Sequence, residues 1–210
     1  MRISLICYAA ALGINLFWLW QGDSLSVGTQ LLIPVLSVAA VGIGVLVRAR
    51  RISAQERRRR LYRGALLVFL VYYLIILGGL LLFGGLFHLD RGWGGAVNLE
   101  PFYTIRRFII HYRRTGSLSS LSNLLGNIVV LMPLGLLLPV LFRPMRRFWL
   151  FIPVMAAVAV GIEAFQWRTG LGVADVDDSI LNFCGAVISY IPTRLGQTVY
   201  RIVEGRRKKI

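Results

Sequence analysis

Apolar runs alternate with short, arginine-rich connectors along this chain. Runs over about 3–20, 25–47, 64–87, 120–142, 148–167 and 178–193 carry little charge. Most reach the roughly 20 residues that one helical crossing of hydrocarbon requires. The pattern predicts an all-α fold, a polytopic transmembrane helix bundle of about six spans. A seventh element follows a different pattern. After Pro101, which suits a first helical turn, Phe102, Ile105, Phe108, Ile109 and Tyr112 recur at helical spacing, and Arg106, Arg107, Arg113 and Arg114 take the other positions. That spacing predicts an amphipathic helix over 101–114, interfacial or re-entrant.

Local signals refine the spans. Trp18 and Trp20 close the first run as interfacial anchors. That run resembles a secretory signal, but its length, its Trp-Leu-Trp ending and the lack of a small-x-small site predict a retained anchor. Pro34 falls inside the second run, where neighbouring helices satisfy the freed carbonyl. Gly78-Gly79 and Gly84-Gly85 in the third permit close helix approach. Ser119, Ser120 and Ser122 offer N-caps for the fourth.

Composition agrees with this picture and charge orients it. A chain that is 57% hydrophobic is too apolar for an ordinary soluble domain of 210 residues. The net charge of +15 would fit nucleic acid, but the cations sit in connectors between spans, which is an orientation signal. No nucleic-acid partner is expected. Residues 48–63 hold eight arginines and one acid, suited to a cytoplasmic loop beside anionic headgroups. Six crossings would put Arg2, the connectors 48–63 and 143–147 and the tail from Arg194 on one side. That side holds eighteen cations and the other holds six, so both termini are expected in the cytoplasm, with the chain multi-pass in the plasma (inner) membrane. The expected organisation is two helices and a basic loop (1–63), a transmembrane domain (64–194) and a basic tail (195–210). Cys7 and Cys184 lie inside apolar runs and suggest neither a disulfide framework nor a zinc site.

The acids divide the opposite way. Only Glu56 and Glu204 fall inside, whereas Asp23, Asp90, Glu100, Glu163, Asp175, Asp177 and Asp178 fall at or near the outer face. Charged and amide side chains beside hydrocarbon mark candidate sites. On this topology Asn98, the arginines of 101–114, Asn123, Asn127, Glu163, Gln166, Asp175, Asp177, Asp178 and Asn182 converge at one depth. Glu163 and Gln166, three apart, share a helix face, as do Asp178 and Asn182, four apart. Each has a plainer reading. Asp177 or Asp178 caps the last helix beside Ser179; Asn127 and Asn182 are interhelical glue; Glu163 pairs with Arg168 or Arg106. Glu163 lies within a helix, where capping cannot explain it, and is the candidate general acid or base. His88 and His111 lack metal-ligand spacing and receive no role. The acids are hard oxygen ligands, but the DVDD run at 175–178 matches no metal loop, and neither a metal nor a cofactor is expected.

Three stretches resemble the VanZ-like membrane proteins, a family named after a teicoplanin-resistance protein. These are NLEPFYTI at 98–105, NLLGNIVVLMPLG at 123–135, and Glu163, Gln166, DVDD and then Asn182-Phe183-Cys184-Gly185. The resemblance covers roughly 98–190. The chain departs from the pattern at 170–174, where an arginine often precedes the acidic run, and at Ser189, where a second glycine is expected. The resemblance implies an integral membrane protein of the cell envelope, associated in some members with lower susceptibility to lipoglycopeptides, and no settled reaction. From the residues, the leading expectation is a binding protein for an anionic lipid-linked cell-wall precursor or lipoglycopeptide. Arg106 and Arg107 would hold phosphate, and Glu163, Gln166, Asp178 and Asn182 would orient the polar head. The alternatives are an enzyme acting on such a lipid through Glu163, and a structural partner of envelope synthesis machinery docking on the glycine-rich third helix.

Overall fold

A computed structural model describes residues 2–21, 27–83, 97–169 and 174–207. Asp23, Gly84, Gly85, His88, Asp90, Arg91 and residues 170–173 lie outside the described residues, as do the side chains of Trp18, Trp20, Ser119, Ser120 and Glu204. Seven α-helices appear among the described residues: α1 (Arg2–Gln21), α2 (Val27–Arg50), α3 (Gln55–Phe83), α4 (Tyr103–Thr115), α5 (Leu118–Leu141), α6 (Phe148–Thr169) and α7 (Val176–Arg207). The all-α fold is present. Four helices, α2, α3, α5 and α6, are long and apolar enough to cross a membrane on their own composition, and α1 contributes a shorter apolar stretch, Ile3–Leu16. Among the described residues that measure finds four of the expected spans, and α7, which opens on two aspartates and carries arginines toward its end, is not among them.

Two helices start or end far from their expected bounds. α3 begins at Gln55, inside the supposed basic loop. Gln, Glu and Arg are good helix formers, the Arg58 amide bonds the Ala54 carbonyl, and Glu56 meets Arg60 at 3.6 Å one turn on. α7 continues through Pro192 to Arg207, so most of the basic tail is helical. α5 starts at Leu118, so its N-cap residue is Ser117 rather than one of the serines beyond it, and Ser117 makes no side-chain cap bond.

The chain divides into two compact units, 1–76 with 85–88, and 77–84 with 89–210. In the first, α1 packs on α2 at Gly44, where a Cβ would stand 2.7 Å from the Tyr8 ring. Asn15 Nδ2 donates to Ala11 O (2.7 Å) and Ser37 Oγ (2.9 Å), and Tyr72 OH donates to Asn15 Oδ1 (2.8 Å). In the second unit, α5 and α7 run parallel and in backbone contact. Gly185 faces the Ile128 carbonyl and Gly135 faces the Ala186 carbonyl, each too closely to admit a Cβ. Small residues of this kind let membrane helices approach. Ser189 keeps the slot narrow although it is not glycine. Its hydroxyl lies 2.7 Å from the Met132 carbonyl, so the polar atom is satisfied across the seam. α6 packs on α7 antiparallel, with Phe151 stacked on Tyr190 (4.1 Å, 24°) at one end and Glu163 beside Asp175 at the other. Below the stack, Arg146 Nε and Gln197 Nε2 reach the Pro139 carbonyl at 2.9 and 3.0 Å, satisfying an acceptor in the last turn of α5.

Candidate functional site

Two short segments meet where α5 and α7 begin and α6 ends. Val97–Asn98 (β1) pairs in parallel with Ala174–Asp175 (β2), in register Val97 to Ala174 and Asn98 to Asp175. Periodicity gave no sign of this pairing, since each strand is two residues long. It ties the approach to α4 to the approach to α7.

Asp175 organises the junction. Its Oδ1 accepts from Asn98 Nδ2 (3.1 Å) and from the Asp177 amide (2.9 Å), and its Oδ2 accepts from the Thr104 hydroxyl (2.5 Å). Its own amide donates to Glu163 Oε2 at 3.2 Å. Asn98 Oδ1 accepts from the Glu100 amide two residues on (3.1 Å), closing an Asx-turn. Thr104 belongs to the site although the sequence reading gave it no role of its own; its position inside NLEPFYTI was the available signal.

Asp177 does something different from the expected cap of its own helix. It is 0% exposed. Its two oxygens accept from the amides of Phe102 (2.5 Å) and Ile105 (3.0 Å), at the start of α4. It therefore caps α4 from a distance of 75 residues in sequence. α4 needs such an acceptor because its N-cap residue, Phe102, has no capping oxygen and sits at φ 67°. A carboxylate there also meets the positive end of the helix dipole. Asp178 takes a separate partner, accepting from Asn127 Nδ2 on α5.

The remaining expected residues are less connected. Glu163 is buried, with 7% exposure, and among the described residues it accepts from the backbone amide of Asp175. It forms no ion pair with Arg168 or Arg106. Among the described residues the one salt bridge is Arg60–Glu56, on α3. Asn182 is 4% exposed, and its Oδ1 has no partner among the described residues. Asn123 and Gln166 are half-buried and make no side-chain hydrogen bond to the cluster. Arg106 and Arg107 are exposed on α4, and the Arg107 guanidinium lies 5.5 Å from the Tyr103 ring centre. A cavity of about 510 Å³ runs along one face of α4, lined by Thr104, Arg107, Phe108, Ile110, His111 and Arg114. Among the described residues the structure thus joins Asn98, Asn127, Glu163, Asp175, Asp177 and Asp178, buries Asn182 with its Oδ1 unpartnered, and leaves Arg106 and Arg107 exposed and outside any ion pair with these acids.

A family model described as VanZ/LLP1 matches residues 66–197. The chain belongs to the VanZ/LLP1 family. Every residue of the cluster falls within the matched span, as does the seam of α5 and α7, whereas α1 and α2 precede it. The VanZ/LLP1 region holds two of the four long apolar helices whole and most of a third, consistent with a membrane protein. No curated protein and no solved structure matches the chain.

Proposed function

We propose that this VanZ-family protein binds an anionic lipid-linked envelope precursor or a lipoglycopeptide at the outer leaflet of the plasma membrane, and thereby affects susceptibility to teicoplanin-type glycopeptides. The acidic cluster and α4 face outward, with both termini cytoplasmic, as the cation count favours. The observation that carries the reading is the separation of charges in the site. The four carboxylates take their hydrogen bonds from amides and a hydroxyl, and Arg106 and Arg107 stay exposed above them. Planar guanidinium groups suit phosphate oxygens; the half-buried amides of Asn123 and Gln166 suit a sugar or peptide head.

Photo-crosslinking of a lipid-linked precursor in membranes tests this. Charge-assisted hydrogen bonds contribute about 1.5–3 kcal/mol each, so removing both arginines in an Arg106→Ala, Arg107→Ala double variant is expected to lower labelling at least tenfold. Equal labelling overturns the assignment. A second reading rests on Glu163, a buried carboxylate within a helix held by one backbone amide. If it serves as acid or base toward a lipid-linked substrate, Glu163→Gln abolishes turnover and leaves crosslinking intact. A binder instead shows an altered affinity and no turnover in either form.

A further inference from the structure

The basic stretch 48–63 and the polar trio of the first unit play no part in the outer-face site. Between them lies a cleft of about 460 Å³ separating α2 from α3, with walls that are almost entirely apolar: Val41, Val45 and Leu46 on one side, Ala65, Leu66 and Phe69 on the other. At its deep end stand Asn15, Ser37 and Tyr72, already hydrogen-bonded to one another. Its opposite end reaches Tyr62, one turn from the arginines.

The lengths are informative. Ten residues separate Tyr62 from Tyr72, which is about 15 Å of helix. Half of a hydrocarbon core of roughly 30 Å has the same depth. The cleft is thus about as long as one leaflet is deep, with apolar walls and one end formed by polar groups that bond one another. At the mouth, helical periodicity continues the lining faces into cations. Arg58 and Arg59 precede Tyr62 by four and three positions on α3, and Arg48 follows Val45 by three on α2. All three are exposed.

We infer that the cleft between α2 and α3 holds one acyl chain of an anionic glycerophospholipid whose phosphate rests on Arg48, Arg58 and Arg59. Charge complementarity selects this occupant. A second copy of a chain carrying +15 would bring like charge to an arginine mouth. A phospholipid supplies an apolar chain to the walls and a phosphate to the guanidinium groups, each about 1 kcal/mol near a membrane surface.

Native mass spectrometry of the full chain, released from nanodiscs of palmitoyl-oleoyl phosphatidylglycerol or of the matching phosphatidylcholine, provides the test. The wild type is expected to retain one phosphatidylglycerol at least tenfold more often than phosphatidylcholine. Gly42 lines the cleft, and a Cβ there meets nothing within 4 Å. Gly42→Leu therefore fills the space without pressing on the backbone and should lose the lipid, as should Ala65→Leu from the facing wall. Gly13→Leu, equally open but away from the cleft, should keep it. Replacing Arg48, Arg58 and Arg59 together by Gln should erase the preference for phosphatidylglycerol. Equal retention of the two lipids by the wild type, retention of lipid by both filled-cleft variants with unchanged circular dichroism, or a dimer without lipid overturns the inference. If one filled variant fails to fold, the other decides.

Discussion

Asp177→Ala is the most discriminating perturbation of the candidate site. The Asp177 carboxylate is fully buried and receives two backbone amides of the first turn of α4. Its removal leaves the Phe102 and Ile105 amides without an acceptor. An N-cap contributes about 0.5–2 kcal/mol and a hydrogen bond to a charged group about 1.5–3 kcal/mol. Discounting for a helix whose end is partly solvated, the two together amount to about 2–4 kcal/mol. None of this falls on the seam of α5 and α7, so the loss is local. Native-state hydrogen exchange reads local opening directly. At tenfold per 1.4 kcal/mol, amides over 105–112 should lose protection by roughly 30- to 700-fold, with those of α5 and α7 unchanged. Asp177→Asn keeps one acceptor oxygen and should show about half that free-energy effect. Asp178→Ala, whose partner is Asn127 on α5, should leave α4 protected. Unchanged protection of α4 in Asp177→Ala, or an equal loss across α4, α5 and α7, would refute the reasoning.

Other consequences are simpler to measure. Gly185→Ala puts a methyl against the Ile128 carbonyl and should lower stability in detergent unfolding by about 1–3 kcal/mol or more, whereas Gly126→Ala, which meets nothing within 4 Å, should be neutral. Asn182→Leu removes a buried oxygen that has no partner among the described residues and should be neutral to stabilising by about 1 kcal/mol; a large destabilisation would show that Asn182 is satisfied in the folded protein. Tyr190→Phe deletes the hydroxyl bond to the Arg146 carbonyl (3.0 Å) and keeps the stack on Phe151, so the expected cost is about 1 kcal/mol.

The hydrophobic pattern made most helices legible, because an apolar run of span length needs no partner to reveal itself. It misplaced the start of α3, where four consecutive arginines read as a loop although Gln55, Glu56 and the arginines are good helix formers. It also stopped α7 near Pro192, though that helix runs on to Arg207. The chemistry of the site was legible in residue type and not in connection. Asp177 beside Ser179 looked like a local cap, and nothing in the local pattern pointed to amides 75 residues away. One signal was available. The segment Glu100-Pro101-Phe102-Tyr103 opens an amphipathic helix without a Ser, Thr, Asp or Asn at its N-cap, and a helix that starts so needs its acceptor from elsewhere.

That remote cap bears on why the arginines of α4 are available. A basic helix beside four carboxylates would ordinarily be held by ion pairs, and its cations would then be spent on the fold. Here the carboxylates meet backbone amides, two Asn side-chain amides and a Thr hydroxyl, and the attachment of α4 runs through its main chain at Phe102 and Ile105 and through Thr104. Docking thus places little demand on the side chains at 106 and 107. Their charge is a property of the surface that α4 presents, and Asp177 fixes where that surface stands relative to Glu163 through Asp175. The same attachment explains how these acids can crowd one site without arginine partners among the described residues. The α4 dipole and the converging amides supply the positive potential that a cation would otherwise provide.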